Sequence, residues 1–180
     1  MGTGVIDFKL VEVSLDEAVE SSIRLADELL LSFKPSIVVG ILKGGFLPAV
    51  EISDRWEVPC QFVGVEKRDV NPIKQYPFGI SLDGLDVLLV DDVYWTGATM
   101  NRAEIELKKS NPRTLRTAVL SYSGRKYYEV PDFFDHLFAV NHIAERYPWS
   151  PKSNSYGRYK EYVRSLGLRR DLQQFAKVMH

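Results

Sequence analysis

The chain has 180 residues, 45% of them hydrophobic and 26% charged, with a formal net charge of −1. That length and balance support one domain with a full core. They exclude bulk electrostatic binding to nucleic acid or to an anionic membrane, and no apolar run reaches membrane-spanning length.

Residues 1–13 read as a short extended segment. Asp7, Lys9 and Glu12 interrupt its apolar residues, which argues against a secretory signal and for a cytoplasmic protein. Ser14-Leu15-Asp16-Glu17 fits a capping box. Val19, Ile23, Ala26, Leu30 and Phe33 recur at helical spacing, predicting an amphipathic helix over 15–33 that Lys34-Pro35 ends. Residues 36–42 read as a buried strand. Lys43-Gly44-Gly45 follows, before a helix over about 46–56. A Gly pair lets backbone approach a ligand closely, and Lys43 can neutralise an oxyanion. A flexible turn with a surface lysine is the alternative.

Residues 60–66 read as a third strand, with the single cysteine, Cys60, as a small core residue. Residues 67–84 form the longest stretch without periodicity and carry Lys67, Arg68 and Lys74. A long irregular loop in a compact domain is usually functional or disordered. Solvated loop charges are the plainer reading.

Residues 87–100 carry the most specific pattern. Val87 to Val90 read as a buried strand, and Asp91 and Asp92 stand at its carboxyl end, where open α/β sheets bind ligands. Thr96-Gly97-Ala98-Thr99 leads into a helical pattern with Met100, Ala103 and Leu107 on one face. A Gly-containing turn before a helix N-terminus cradles anions. Paired carboxylates accept hydrogen bonds from vicinal hydroxyls. A sugar phosphate offers both groups, whereas an isolated Asp-Asp is commonly a solvated strand end or a cap.

The helix is expected to run to about Lys109, stopped by Asn111-Pro112. Residues 114–122 read as a strand, followed by Ser123-Gly124-Arg125-Lys126. An apolar stretch covers 134–143, and Pro148-Trp149 comes after it. A flat heterocycle is bound economically by a stacking side chain, although a packing tryptophan is commoner. The tail, 154–180, has the spacing of one or two short helices. His136, His142 and His180 lack metal-ligand spacing, and the Walker A and dinucleotide glycine patterns are absent. Four or five strands alternate with helices, which predicts an α/β fold with a mostly parallel twisted sheet and helices on both faces.

Residues 87–99 resemble the phosphoribosyl pyrophosphate (PRPP) signature of the type I phosphoribosyltransferases: an apolar strand, two acidic residues, three residues, then Thr-Gly-x-Thr. The resemblance covers roughly 36–150 and implies a single domain over 1–180. Its core would be about 36–145, with a small hood from the N-terminal segment and about 146–180. It implies that Asp91 and Asp92 hold the ribose hydroxyls, directly or through Mg²⁺. Thr96, Gly97, Ala98 and Thr99 would hold the 5′-phosphate, and Lys43, Gly44 and Gly45 the pyrophosphate. Members often have a non-proline cis peptide in that last turn, here Leu42–Lys43. The 67–84 loop would be the mobile catalytic hood, with Lys67, Arg68 and Lys74 as its charged contacts.

Lys126, or else Arg125, would meet the exocyclic oxygen at purine C6. Pro148-Trp149 is similar to a base-stacking Pro-Trp of the xanthine–guanine branch, where Ser150 replaces the usual acid. Trp95, at the base site, stands where many purine-specific members carry an Asp for the N7 proton. The implied activity joins hypoxanthine, guanine or xanthine to PRPP in purine salvage, in a homodimer or higher homo-oligomer. A PRPP- or nucleotide-binding regulator without catalysis is the second reading. An enzyme for adenine, orotate or uracil is the third.

Overall fold

Two strands, β2 (Ile37–Leu42) and β5 (Asp86–Tyr94), are buried almost throughout and pair in parallel at the centre of a six-stranded sheet. The computed structural model describes residues 9–65, 74–75, 81–124, 128–138 and 143–166. The sheet order is β4-β3-β2-β5-β6-β7, with β3 (Cys60–Gly64), β4 (Lys74–Gln75), β6 (Thr114–Tyr122) and β7 (Phe133–Leu137). All neighbours are parallel except β4, which pairs antiparallel with β3 at an edge. The stretch expected to be irregular, 67–84, therefore contains a short strand.

A parallel sheet buried at consecutive positions needs cover on both faces. On one face α3 (Ala98–Lys108) sets Met100, Ala103 and Leu107 against Ile37, Val39, Ile41, Val87, Leu89 and Val119. On the other, α2 (Phe46–Trp56) stacks Phe46 on Phe62 at 5.0 Å, and Ala49 lies 2.8 Å from where a Cβ on Gly40 would stand. The mostly parallel α/β architecture expected from the sequence is the one observed.

Helix α1 (Leu15–Leu29) begins with the expected capping box. Ser14 N–H donates to Glu17 Oε2 at 2.7 Å, and Glu17 N–H donates to Ser14 Oγ at 3.2 Å. The helix ends four residues before the expected Phe33. Leu31 N–H reaches back only to Glu28 O, tightening the last turn, and Leu30 and Leu31 are left exposed.

The chain divides into two compact units, residues 19–139 and residues 1–18 with 140–180. The first holds the six-stranded sheet. In the second, β1 (Lys9–Glu12) and β8 (Ile143–Arg146) pair in parallel, and Arg146 donates to Glu12 at 2.9 Å. Its helix α4 (Tyr156–Leu166) buries Tyr159 and Val163, and Arg158 grips the Asp16 carboxylate with both terminal nitrogens. Eight strands are thus seen among the described residues, where four or five were expected. The apolar stretch 134–143 contributes to two of them, because β7 and β8 join different sheets. Cys60 is half-buried at the start of β3, short of the core placement expected for it.

Candidate active site

Parallel neighbours deliver their following turns to one edge of a sheet. Here β2 and β5 are those neighbours, with Gly40 opposite Val90. The turns lead into α2 and α3, whose N-caps are Gly45 and Gly97 with no side-chain capping bond. Helix α1, by contrast, closes its own N-terminus with Ser14 and Glu17. The two helices that start at the sheet edge therefore leave amide donors and the positive dipole end for an anion. Gly97 has φ +83°, a left-handed conformation that a side chain would strain.

The two turns meet at the acidic pair. Asp91 and Asp92 belong to β5, which continues to Tyr94, beyond the Val90 end expected from the sequence. The strand continues because β6 pairs with it as far as Tyr94–Tyr122. Asp92 N–H donates to Asp91 Oδ1 at 2.9 Å, and Val93 N–H donates to Asp92 Oδ1 at 2.6 Å. Asp91 is 8% exposed. The Asp92 carboxylate overlaps the position that a Cβ on Gly44 would take. A Cβ on Gly45 would strike Val90 O and lie 2.6 Å from Ile41 N. Backbone from the β2 turn therefore lies directly against the acidic end of β5. Lys43 is exposed at this turn, and the Leu42–Lys43 peptide is cis, as the resemblance implies.

Thr96 Oγ1 accepts from Ala98 N–H at 3.4 Å, and Asn101 N–H donates to Gly97 O at 2.9 Å, opening the first turn of α3. Beneath the turn lies Tyr94. Its hydroxyl and the adjoining edge of its ring occupy the space next to Gly97 where a side chain would project. Burial, then the nearby Tyr122 and Glu104, raises the Tyr94 pKa above that of an ordinary phenol. The hydroxyl stays protonated and donates to Glu129 O at 2.6 Å. Trp95 stacks on Phe138 with centroids 5.7 Å apart. Trp95 is the residue that the resemblance sets where an N7 proton acceptor was expected, and its indole is engaged by Phe138.

The sequence candidates Lys67, Arg68, Arg125 and Lys126 lie outside the described residues. So does the Lys74 side chain, although its backbone forms β4. Trp149 belongs to the other unit, where it stacks on Tyr147 at 4.7 Å and meets Tyr159 edge-on at 5.8 Å.

Sequence reasoning did not find a second polar cluster. Asp135 accepts from Ser21 Oγ at 2.6 Å and from Arg24 Nε and a terminal nitrogen at 2.9 and 2.8 Å. His136 Nδ1 lies 3.2 Å from Asp135, and its Nε2 lies 2.9 Å from Ser121 Oγ. Burial alone would raise the Asp135 pKa. Hydrogen bonds from His136, Arg24 and Ser21 outweigh it and hold the carboxyl well below the usual range. The cross-strand register Ser121–His136 creates this cluster, and no local motif announces it.

Adjacent carboxylates suit a hard divalent cation that keeps much of its water. Among the described residues, no group of three or more His, Cys, Asp and Glu side chains could hold a metal ion. A Mg²⁺ ion at Asp91 and Asp92 would thus need ligand oxygens or water to complete its shell. Among the described residues, no helix is long and apolar enough to cross a membrane.

A phosphoribosyl transferase domain model matches residues 14–153. The bifunctional protein PyrR of Geobacter sp. (strain M21) is 31% identical over 57% of this chain and 68% of its own length. The hypoxanthine-guanine phosphoribosyltransferase of Aquifex aeolicus is 30% identical over 62% of this chain and 74% of its own. The solved purine phosphoribosyltransferase of Pyrococcus horikoshii shares the fold with a TM-score of 0.67 at 24% identity. That match covers 78% of this chain and 93% of the other.

Proposed function

The chain belongs to the phosphoribosyl transferase domain family, and from that premise we propose that it transfers the phosphoribosyl group of PRPP to a 6-oxopurine. The observation that carries this reading is the convergence of Asp92 and Gly44 between two helix N-termini without side-chain caps. Asp91 and Asp92 accept hydrogen bonds from the ribose hydroxyls. Residues 96–99 surround the 5′-phosphate, and Lys43, Gly44 and Gly45 receive the pyrophosphate. The base nitrogen bonds to C1′ as the bond from C1′ to pyrophosphate oxygen breaks. The proton lost by the base passes to pyrophosphate or water. Mg²⁺, when bound, offsets the charge of the leaving pyrophosphate.

Lys67 and Arg68 are proposed to contact PRPP during turnover. Lys126, or else Arg125, reads the C6 oxygen, and Trp149 stacks on the base. These assignments rest on the sequence resemblance. Preference for a 6-oxopurine is supported by the Lys-Gly-Gly turn and by the relation to a hypoxanthine-guanine enzyme.

A second reading, a PRPP- or nucleotide-binding regulator, is favoured by Trp95, which supplies no proton acceptor. The relation to a bifunctional protein also leaves room for it. Incubation with PRPP, Mg²⁺ and each of six free bases separates the two. Nucleotide formed from hypoxanthine, guanine or xanthine is the expected result. PRPP binding without nucleotide from any base would replace the enzyme reading with the regulator.

A further inference from the structure

Strands β5, β6 and β7 end side by side, and the residues that follow them remain joined. The last ladder pairs are Tyr94–Tyr122 and Tyr122–Leu137. One residue further along each strand stand Trp95, Ser123 and Phe138. Ser123 Oγ donates to Trp95 O at 2.7 Å, and Phe138 N–H donates to Tyr122 O at 2.9 Å. The rings of Trp95 and Phe138 stack at 27° with centroids 5.7 Å apart. Phe138 is 8% exposed, whereas Trp95 is half-buried. Both the backbone and the indole of Trp95 are thus held from neighbouring strand ends.

The place of Trp95 in the chain gives that restraint a use. It stands between the acidic pair and the phosphate turn, directly before Thr96. It therefore lies at the carboxyl edge of the sheet, where open α/β sheets bind ligands. In a nucleotide the base is joined to the ribose. A ligand held by its 5′-phosphate at residues 96–99 and by its ribose at Asp91 and Asp92 sets its base close to this edge. A flat heterocycle gains from contact with an aromatic ring whatever its hydrogen-bonding edge offers. The gain is larger when the ring is fixed before the ligand arrives.

We propose that Phe138 is a positioning residue: by stacking on Trp95 it holds the indole as an aromatic wall for the base of a bound nucleotide. The proposal rests on the PRPP reading of residues 96–99, and it adds a base contact from the sheet edge and the residue that fixes it. Phe138→Leu removes the stacking ring and leaves the acidic pair and the phosphate turn untouched. A ligand without a base loses little in this variant. A nucleoside monophosphate loses the prearranged wall.

The test combines calorimetric titration of GMP and of ribose 5-phosphate, each with Mg²⁺, and acrylamide quenching of the ligand-free protein. Ribose 5-phosphate offers the phosphate and hydroxyls without a base. For Phe138→Leu its Kd is expected to stay within twofold and the GMP Kd to weaken at least fivefold. The tryptophans are Trp56, Trp95 and Trp149, and subtracting the emission of the Trp95→Phe counterpart of each protein isolates Trp95. Its quenching constant is expected to rise at least twofold in Phe138→Leu. Equal weakening of both ligands would reduce Phe138 to a structural role. An unchanged GMP Kd, or an unchanged quenching constant, would overturn the proposal. Wild-type protein that binds ribose 5-phosphate as tightly as GMP would remove the wall and keep the phosphate reading. Wild-type protein that binds neither would overturn the phosphate reading, and the proposal with it. Should Phe138→Leu fail to fold, Phe138→Met fills similar volume without a ring and carries the same expectations.

Discussion

The Asp92 carboxylate occupies the space into which a side chain on Gly44 would project, with both oxygens 2.5 Å from an ideal Cβ there. No real Cβ tolerates such contacts, so Gly44→Ala must displace either the turn or the carboxylate. Asp92 is also held by Val93 N–H, so a shift there disturbs the acidic end of β5. Misplacing a reacting group by about 1 Å costs about 100-fold in rate. Gly44→Ala is expected to lose that much kcat/KM in a pyrophosphate-release assay while keeping its circular dichroism spectrum. Its effect should be far from additive with Asp92→Asn, because both act on one carboxylate.

Asp92→Asn alone tests the ribose contact. A hydrogen bond to a charged acceptor contributes about 1.5–3 kcal/mol, or about 10- to 150-fold in kcat/KM. The amide retains the shape and an oxygen, so the loss measures charge. Steady-state kinetics with varied PRPP should show that loss. Unchanged turnover would remove Asp92 from the ribose site.

Asp135 gives the structure a pH-dependent anchor away from the acidic pair. Its folded pKa is depressed, so its contribution to stability is present above the unfolded carboxyl pKa of about 3.9 and is lost as pH falls below that toward the folded value. Arg24 is largely exposed, so Asp135→Asn strands mainly Ser21 and His136. A loss of about 1–3 kcal/mol at pH 7 is expected. Urea denaturation at pH 7 and pH 3 checks it, with the gap between wild type and variant narrowing at pH 3.

Features written in local chemistry were legible in the sequence. Ser14 and Glu17 cap α1 as their spacing predicts, and the Phe46–Trp56 helix and Thr114–Tyr122 strand have the expected bounds. The local order of strand, Asp91-Asp92, Gly97 turn and helix was also readable, since these form a contiguous signal. What escaped depends on which strands become neighbours. Strand β5 outruns its apolar run because β6 pairs with it to Tyr94. The Ser121–His136 contact exists only through the parallel register of β6 with β7. Gly44 could be read as permitting close approach, but the group that approaches, Asp92, comes from a strand about fifty residues later.

Under the proposed 6-oxopurine reading Trp95 poses the sharpest chemical question, because an indole cannot accept the proton that a purine sheds at N7. Its ring is engaged with Phe138, a stack that contributes about 0.5–1.5 kcal/mol. A positioned general base contributes about 100- to 10,000-fold to a rate limited by proton transfer. Trp95→Asp exchanges the first effect for the second. If proton loss limits wild-type turnover, kcat with hypoxanthine should rise at least tenfold near neutral pH. It should also acquire an acid limb as the new carboxyl protonates, below about pH 5. A pH–rate profile of both proteins measures this directly. An unchanged kcat would mean that proton loss to pyrophosphate or water is already faster than the limiting step. Wild-type and variant proteins that both bind PRPP yet form no nucleotide would favour the regulator, because supplying the missing acceptor would then have restored nothing.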